Sequence, residues 1–299
     1  MSSPSPETNA ANRDRPRRGR PPKRPVALSI AGSDSGGGAG IQADLAAFSY
    51  FRVFGTTALT AVTAQNPTAV TGICPVDEKT VRAQIEAVFQ AFDVGAVKTG
   101  MLFSAAIIHT VAACLGSRQH VPVVVDPVMV ATSGARLLRD DAVQELVSSL
   151  LPLASIITPN LPEAAILCGH ALDTDGAICK AAAGLAEQFR AVAVIKGGHA
   201  ASGEAVDVVS DGRHTWTMAA PRMSSPTTHG TGCSLSAAIA ACLAGNEPVN
   251  RALRRAKAYV LGRLRTCVRV GADTYAMAPP ERLPTRSVKI REVPAMGKA

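Results

Sequence analysis

Apolar runs that end in a turn and then give way to helical spacing recur along this chain, and nothing else restricts its fold as strongly. Val26-Ala27-Leu28-Ser29-Ile30-Ala31-Gly32, Phe54 to Val62, Val94-Gly95-Ala96-Val97-Lys98, Val121-Pro122-Val123-Val124-Val125, Ser155-Ile156-Ile157-Thr158 and Ala191 to Lys196 read as strands. Helical patterns fall between and after them, near 40–51, 78–92, 104–115, 140–150, 161–168, 174–189, 233–244 and 248–266. In the second of these Val81, Ile85, Val88, Phe89 and Phe92 share one face. Asp211-Gly212 marks a hairpin between two short strands. Alternation of this kind implies βαβ units and a mostly parallel central sheet with helices on both faces. The 299 residues suffice for one large α/β domain, and with aromatics at 4% the core must be built from Ala, Val, Leu and Ile.

The net charge of +8 belongs to the two ends. Residues 1–25 carry seven Lys/Arg against two acids, residues 281–299 carry five against two, and the body between holds nineteen of each sign. The body therefore has no general bias toward nucleic acid or membrane. Residues 1–25 are rich in Pro and Arg and are expected to be a disordered tail. Within them Arg18-Gly19-Arg20-Pro21 resembles a minor-groove DNA-binding arm, although a solvated tail is the plainer reading. The stretch 26–279 reads as the folded domain, and 280–299 as a loosely ordered basic tail. Seven scattered cysteines without a C-x-x-C pair suggest reduced thiols. No apolar run reaches membrane-spanning length and the polar N-terminus lacks an apolar signal core, so a cytoplasmic protein is expected.

Ligands in open α/β sheets bind at the carboxyl ends of strands. Seven unusual clusters follow the predicted strands: Gly32-Ser33-Asp34, Gln65-Asn66, Lys98 to Met101, Asp126 to Met129, Thr158 to Glu163, Lys196 to His199, and Thr228-His229-Gly230-Thr231-Gly232-Cys233. The last is a tight turn running straight into an Ala-rich helix. Its backbone N–H groups and helix dipole suit an anion, and Cys233 sits where a thiolate would be favoured. The Gly-rich turn at 36–40 fits either a phosphate cradle or a loop needing positive φ and close packing. Asp126, at the end of an apolar strand, needs a partner: magnesium with nucleotide phosphates, or a helix cap or salt bridge. Asn160 and Glu163 share a helix face, where they can hold metal-bound water, cap the helix, or both. Lys196 follows three apolar residues and precedes two glycines, which favours a phosphate contact over a structural lysine. His229 reads as a residue shaping its turn.

The ordered strings A-G-S-D-S-G-G-G-A-G-I-Q-A-D-L, T-A-Q-N, K-T-G-M, V-D-P-V-M-V-A, T-P-N-L-P-E-A, I-K-G-G-H and H-G-T-G-C-S-L-S-A-A-I-A, spread over about 26–265, resemble the hydroxymethylpyrimidine/phosphomethylpyrimidine kinases of thiamine biosynthesis. The resemblance implies a ribokinase-like three-layer α/β sandwich, usually a homodimer. It implies transfer of the γ-phosphate of ATP, with Mg2+, to 4-amino-5-hydroxymethyl-2-methylpyrimidine, and in many members a second transfer to the monophosphate. It also implies residue roles: Gln65 on the pyrimidine edge, with Gly32, Asp44 and Met101 as pocket members; Asp126, Asn160 and Glu163 near magnesium and phosphates; Lys196 on a phosphate; Gly230, Thr231 and Gly232 as anion hole; and Cys233 as catalytic base. The chain departs from the family pattern at Thr99, where Ile is usual, at Ala46, where Lys is common, at Met223 to Thr228, and at Gly271-Ala272-Asp273-Thr274-Tyr275. The rival readings are a pyridoxine or pyridoxal kinase, and a DNA-associated regulator using a kinase fold as a pyrimidine sensor.

Overall fold

A computed structural model describes residues 23–129, 138, 140–197 and 203–294. The strands are β1 (Val26–Asp34), β2 (Phe54–Gln65), β3 (Val70–Pro75), β4 (Val94–Thr99), β5 (Val123–Val125), β6 (Ile156–Ile157), β7 (Val192–Ile195), β8 (Glu204–Ser210), β9 (Thr215–Pro221), β10 (Cys267–Arg269), β11 (Tyr275–Met277) and β12 (Lys289–Glu292). The helices are α1 (Gly40–Tyr50), α2 (Glu78–Ala91), α3 (Ala105–Gly116), α4 (Asp140–Glu145), α5 (Leu161–Cys168), α6 (Asp175–Phe189), α7 (Thr231–Ala244) and α8 (Val249–Arg265).

Ten strands form one sheet in the order β12-β9-β8-β7-β6-β5-β4-β1-β2-β3. The six from β7 to β2 are parallel, and the outer strands pair antiparallel. The central strands are apolar because both faces are covered. Leu28, Ile30, Val97 and Val125 pack with α2, α3 and α6 in one cluster, whereas Ala27, Ala96, Val124 and Val194 pack with α1, α7 and α8 in another. In α7 every residue from Ser234 to Ala244 is buried, and the five alanines of that stretch bring the helix close to the sheet. The result is the three-layer sandwich the alternation requires, with the strand order reversing beside β1.

Three elements depart from the sequence reading. The helix expected over 140–150 ends at Glu145 and continues as a π turn and a short 3-10 turn, Leu151–Leu153, where Pro152 cannot extend an α-helix. The strand β3 turns back on β2 from Ala61 to Gln65. The expected loose tail after 279 instead contains β12, which pairs with β9 from Lys289↔Ala219 to Glu292↔Trp216. Val288 anchors it, at 1% exposure, and an Arg254 guanidinium N–H donates to the Val288 carbonyl at 3.0 Å. The basic segment with Arg18 to Pro21 and the 130–137 and 198–202 stretches, including Gly198 and His199, lie outside the described residues. Among the described residues no helix is long and apolar enough to cross a membrane.

Candidate active site

A cavity of about 450 Å³ opens at the carboxyl edge of the parallel strands. Gly32, Gln65, Met101, Asp126, Asn160, Glu163, Lys196, Gly230, Thr231, Gly232 and Cys233 all line it. The sequence places these residues in separate clusters, and the topology brings them to one wall because each follows a parallel strand or opens α7. Asp44 does not line it. Its carboxylate is fully buried beneath the cavity, so its place is under the pocket floor and not in the pocket wall. The helical spacing explains this. Ile41, Asp44, Ala47 and Phe48 lie on the sheet-facing side of α1, and all are buried.

Asp44 meets Lys98, whose Nζ donates to both carboxylate oxygens at 2.9 and 2.8 Å, and Ser29 Oγ donates to one of them. Both side chains of the ion pair are 0% exposed. Gly100 makes room for this lysine, since a Cβ there would stand 2.8 Å from Nζ. Burial works against the Lys98 ammonium, but Asp44, Cys233 and Asp126 outweigh it and hold its pKa well above the usual lysine range.

A second lysine serves the cavity itself. Lys196 Nζ donates to Asp126 Oδ1 at 2.8 Å and lies 4.0 Å from Glu163 Oε2, and its side chain is 17% exposed. Asp126 also accepts a hydrogen bond from Ser236 Oγ at 3.0 Å. Burial disfavours the Asp126 carboxylate, yet Lys196 and Lys98 draw its pKa below the usual value. Burial raises Glu163, and with Asp126 beside it Lys196 does not reverse the rise. Asn160 and Glu163 form a complete capping box on α5: Asn160 Oδ1 accepts the Glu163 amide and Glu163 accepts the Asn160 amide, each at 2.8 Å. Asp126 is thus salt-bridged and Asn160 is a cap, while both still face the cavity.

The anion turn is held by a contact between two glycine segments. Gly230 has φ +82° and ends so close to Gly38 that a Cβ would lie 1.8 Å from the Gly38 carbonyl oxygen. It caps α7 with no side-chain bond. The Thr231 amide donates to the Thr228 carbonyl at 3.2 Å, which removes one of the expected anion donors. The amides of Gly232 and Cys233 find no acceptor among the described residues, so they are the free donors of the first turn. Cys233 is half-buried in the cavity wall. Burial pushes its thiol up to about 11 although Lys98 pulls it down, with Asp44 and Asp126 adding to the rise and the Gly40 amide opposing it. Burial therefore works against the thiolate that the helix-terminal position favours.

The turn at 36–40 proves to be a loop that serves its own aspartate. The amides of Gly36, Gly38 and Ala39 donate to the Asp34 carboxylate at 2.8, 3.1 and 2.8 Å, and the Gly37 amide donates to the Asp34 carbonyl. The four amides from Gly36 to Ala39 are thereby taken up, and the Gly40 amide is turned toward Cys233. His229 Nε2 donates to Asp34 Oδ2 at 2.9 Å and lies 3.3 Å from the Gln65 side-chain nitrogen, so it shapes the turn beside Gln65. Burial opposes the Asp34 charge, but His229 and the Ala39 and Gly36 amides outweigh it and lower the pKa. Asp34, Lys98 and Ser236 went unassigned in the sequence. Strand alternation carries the signal for Lys98, because it shares the face of Ala96, toward α1 and Asp44.

The far end of the cavity is walled by Ala205, Pro221, Met223, Val260 and Leu264, with Lys257 Nζ bonded to Asp207 at 2.7 Å. Among the described residues no cluster of three or more His, Cys, Asp or Glu side chains is poised to hold a metal by itself.

The phosphomethylpyrimidine kinase family model matches residues 34–278. A hydroxymethylpyrimidine/phosphomethylpyrimidine kinase of Haemophilus influenzae is 46% identical over 249 residues, 82% of this chain and 92% of that protein. One of Rhizobium meliloti is 49% identical over 236 residues, 79% and 88% respectively. Among solved structures, an ADP complex of Bacillus subtilis pyridoxal kinase superposes with a TM-score of 0.79 at 37% identity, covering 85% of this chain and 97% of that one. With its ribokinase-like sandwich and the cavity at the strand ends, this chain belongs to the phosphomethylpyrimidine kinase family.

Proposed function

We propose that this chain transfers the γ-phosphate of ATP to the hydroxymethyl group of 4-amino-5-hydroxymethyl-2-methylpyrimidine, and then a second phosphate to the monophosphate, as a cytoplasmic homodimer in thiamine biosynthesis. The observation that carries the reading is the convergence of Gln65, Lys196 and the Gly232–Cys233 turn on one cavity in a member of this family. Gln65, with Gly32 and Met101 beside it, takes the ring edge. The apolar far end, around Val260 and Leu264, takes the flat base of the nucleotide.

Phosphoryl transfer passes through a loose transition state, so positioning and charge neutralisation do most of the work. The Gly232 and Cys233 amides, with Gly230 and Thr231 shaping the turn, face the transferring oxygens. Lys196 turns from Asp126 to the phosphates as they enter. Asp126 and Glu163 are two hard oxygen donors beside that path. They fit a magnesium ion that arrives with phosphates and keeps most of its other ligands as phosphate oxygen and water. When bound, magnesium would supply charge neutralisation on the phosphates; Asp126 and Glu163 would hold it, and Asn160 fixes Glu163. Cys233 acts in the fraction of molecules whose thiol has released its own proton to solvent: the thiolate Sγ accepts the alcohol proton late, once the new P–O bond has made that proton acidic, and ends as the neutral thiol.

The test is to mix the purified chain with ATP, Mg2+ and hydroxymethylpyrimidine, isolate the product and count its phosphates. One and then two are expected, and an unmodified alcohol would reject the reading. Cys233→Ala should lower turnover by roughly 10²- to 10⁴-fold with ring binding largely intact. With a resting thiol at about 11, wild-type turnover should rise as pH increases from 7 to 9. A flat profile together with an active Cys233→Ala variant would remove the base from this scheme. The likeness to a pyridoxal kinase favours one second reading, pyridoxal or pyridoxine as acceptor. Parallel assays of both alcohols separate the two at a preference of about tenfold.

A further inference from the structure

Arg263, on the inner face of α8, is a buried guanidinium without an anion. It is 4% exposed, and its hydrogen-bond partners among the described residues are neutral: Nη1 donates to Ser234 Oγ at 2.6 Å and Nη2 to the Met277 carbonyl at 2.6 Å. Among the described residues Nε has no partner, and the ring centroid of Tyr259 lies 5.8 Å from the group. A buried charge in this state is costly unless a counter-charge arrives. Ser234 is the residue after Cys233. Its Oγ donates to the Gly230 carbonyl at 2.7 Å, and its amide donates to the same oxygen at 2.9 Å. A relay thus runs from Arg263 through Ser234 to the peptide that begins the anion turn. Met277 belongs to β11, which follows the segment 271–275 where the chain departs from its family pattern.

We infer that Arg263 is a positioning residue for phosphoryl transfer: it fixes the Gly230 carbonyl through Ser234, so that the free amides stay aimed into the cavity, and its positive charge strengthens that relay from behind the turn. This rests on the proposed kinase reading. The charged groups around the turn are Lys98 from β4, Asp44 from α1, Asp126 after β5, Lys196 after β7, Glu163 of α5 beside Lys196, and Asp34 of β1 against His229. The first two neutralise one another, and Lys196 is shared between Asp126 and Glu163, so that among the described residues no carboxylate pairs with Arg263 directly.

Two variants separate charge from mere support. Arg263→Gln keeps a donor for Ser234 without the charge, and Arg263→Lys keeps the charge. The readouts are kcat and KM for both substrates, and the affinity for ADP alone against ADP with aluminium fluoride, a mimic of the transferring group. Arg263→Gln should lose about tenfold to a hundredfold in kcat and in fluoroaluminate-complex affinity, with pyrimidine KM and ADP affinity within about twofold. Arg263→Lys should recover most of both. Equal losses in the two variants, or losses confined to melting temperature and KM, would overturn the inference. The fluoroaluminate measurement needs no acceptor. A wild type that binds the mimic tightly but leaves hydroxymethylpyrimidine unmodified would refute the substrate reading and leave the Arg263 result standing.

Discussion

Two lysines lie within one site and do opposite work. Lys98 is sealed, with 0% exposure for itself and for Asp44, whereas Lys196 is open to the cavity at 17% and is shared between Asp126 and Glu163. The chemistry of the two pairs is the same, and access decides the role. The first pair borders the cavity only at Lys98 and has no exposed surface, so it holds α1 against β4 beneath the sulfur. An open pair can exchange its carboxylate for an incoming phosphate, and its carboxyls can take up a proton or water when the lysine leaves.

The sharpest way to break this contrast is Lys98→Met. Leaving Asp44 buried and alone should cost about 3–5 kcal/mol, a fall in melting temperature on the order of 10 °C. Adding Asp44→Leu should return most of it, because an apolar pair of similar volume often replaces a buried ion pair at little cost. A single variant as stable as wild type would show that Asp44 has an outlet the structure does not reveal. Next, Lys196→Met should reduce turnover by about 10²- to 10³-fold, as for loss of a transition-state donor. It should move the melting temperature by only a few degrees, since Glu163 is already inclined to bind a proton. If Lys196→Met unfolds as readily as Lys98→Met, the distinction between the pairs is lost.

The smallest effect concerns pH. The folded-state pKa of Glu163 is raised, so folding stability linked to it is fully present below its unfolded value and is lost as pH rises through the folded one. Asp126 acts in the other direction: its contribution is present above its unfolded value and is lost as pH falls through its lowered folded pKa. Glu163→Gln, compared with wild type by thermal melts, should therefore gain stability toward neutral pH and show no gain below about pH 4. A difference independent of pH would mean that Glu163 contributes through its helix cap alone.

The alternation of apolar runs made the central sheet readable, because strands covered on both faces have little freedom in composition. The edges were not readable for the same reason reversed. β3 is short and half-exposed and β12 is short and exposed throughout, and Lys289-Ile290-Arg291-Glu292 becomes a strand only because β9 offers it a free row of amides and carbonyls. Most of the site could be found because its residues follow strands. Its underside was only partly legible: the matching strings contain Asp44 and Lys98 but do not show that the two pair, and Arg263 lies in none of them, becoming visible only when helix faces are paired, as in the buried run Ala252, Ala256, Tyr259 and Arg263 of α8. The resting state of Cys233 was hidden too, since a helix terminus is visible in sequence and the desolvation around a sulfur is not.

The short β12 has a practical consequence. By lying along β9 it denies that border, with Trp216 and Met218, to any other molecule seeking to add strand to strand. A protein cut back before Lys289 would expose a sticky margin and tend to self-associate in ways unrelated to catalysis. A reporter or affinity handle is therefore better attached beyond Pro294 than in place of the final residues.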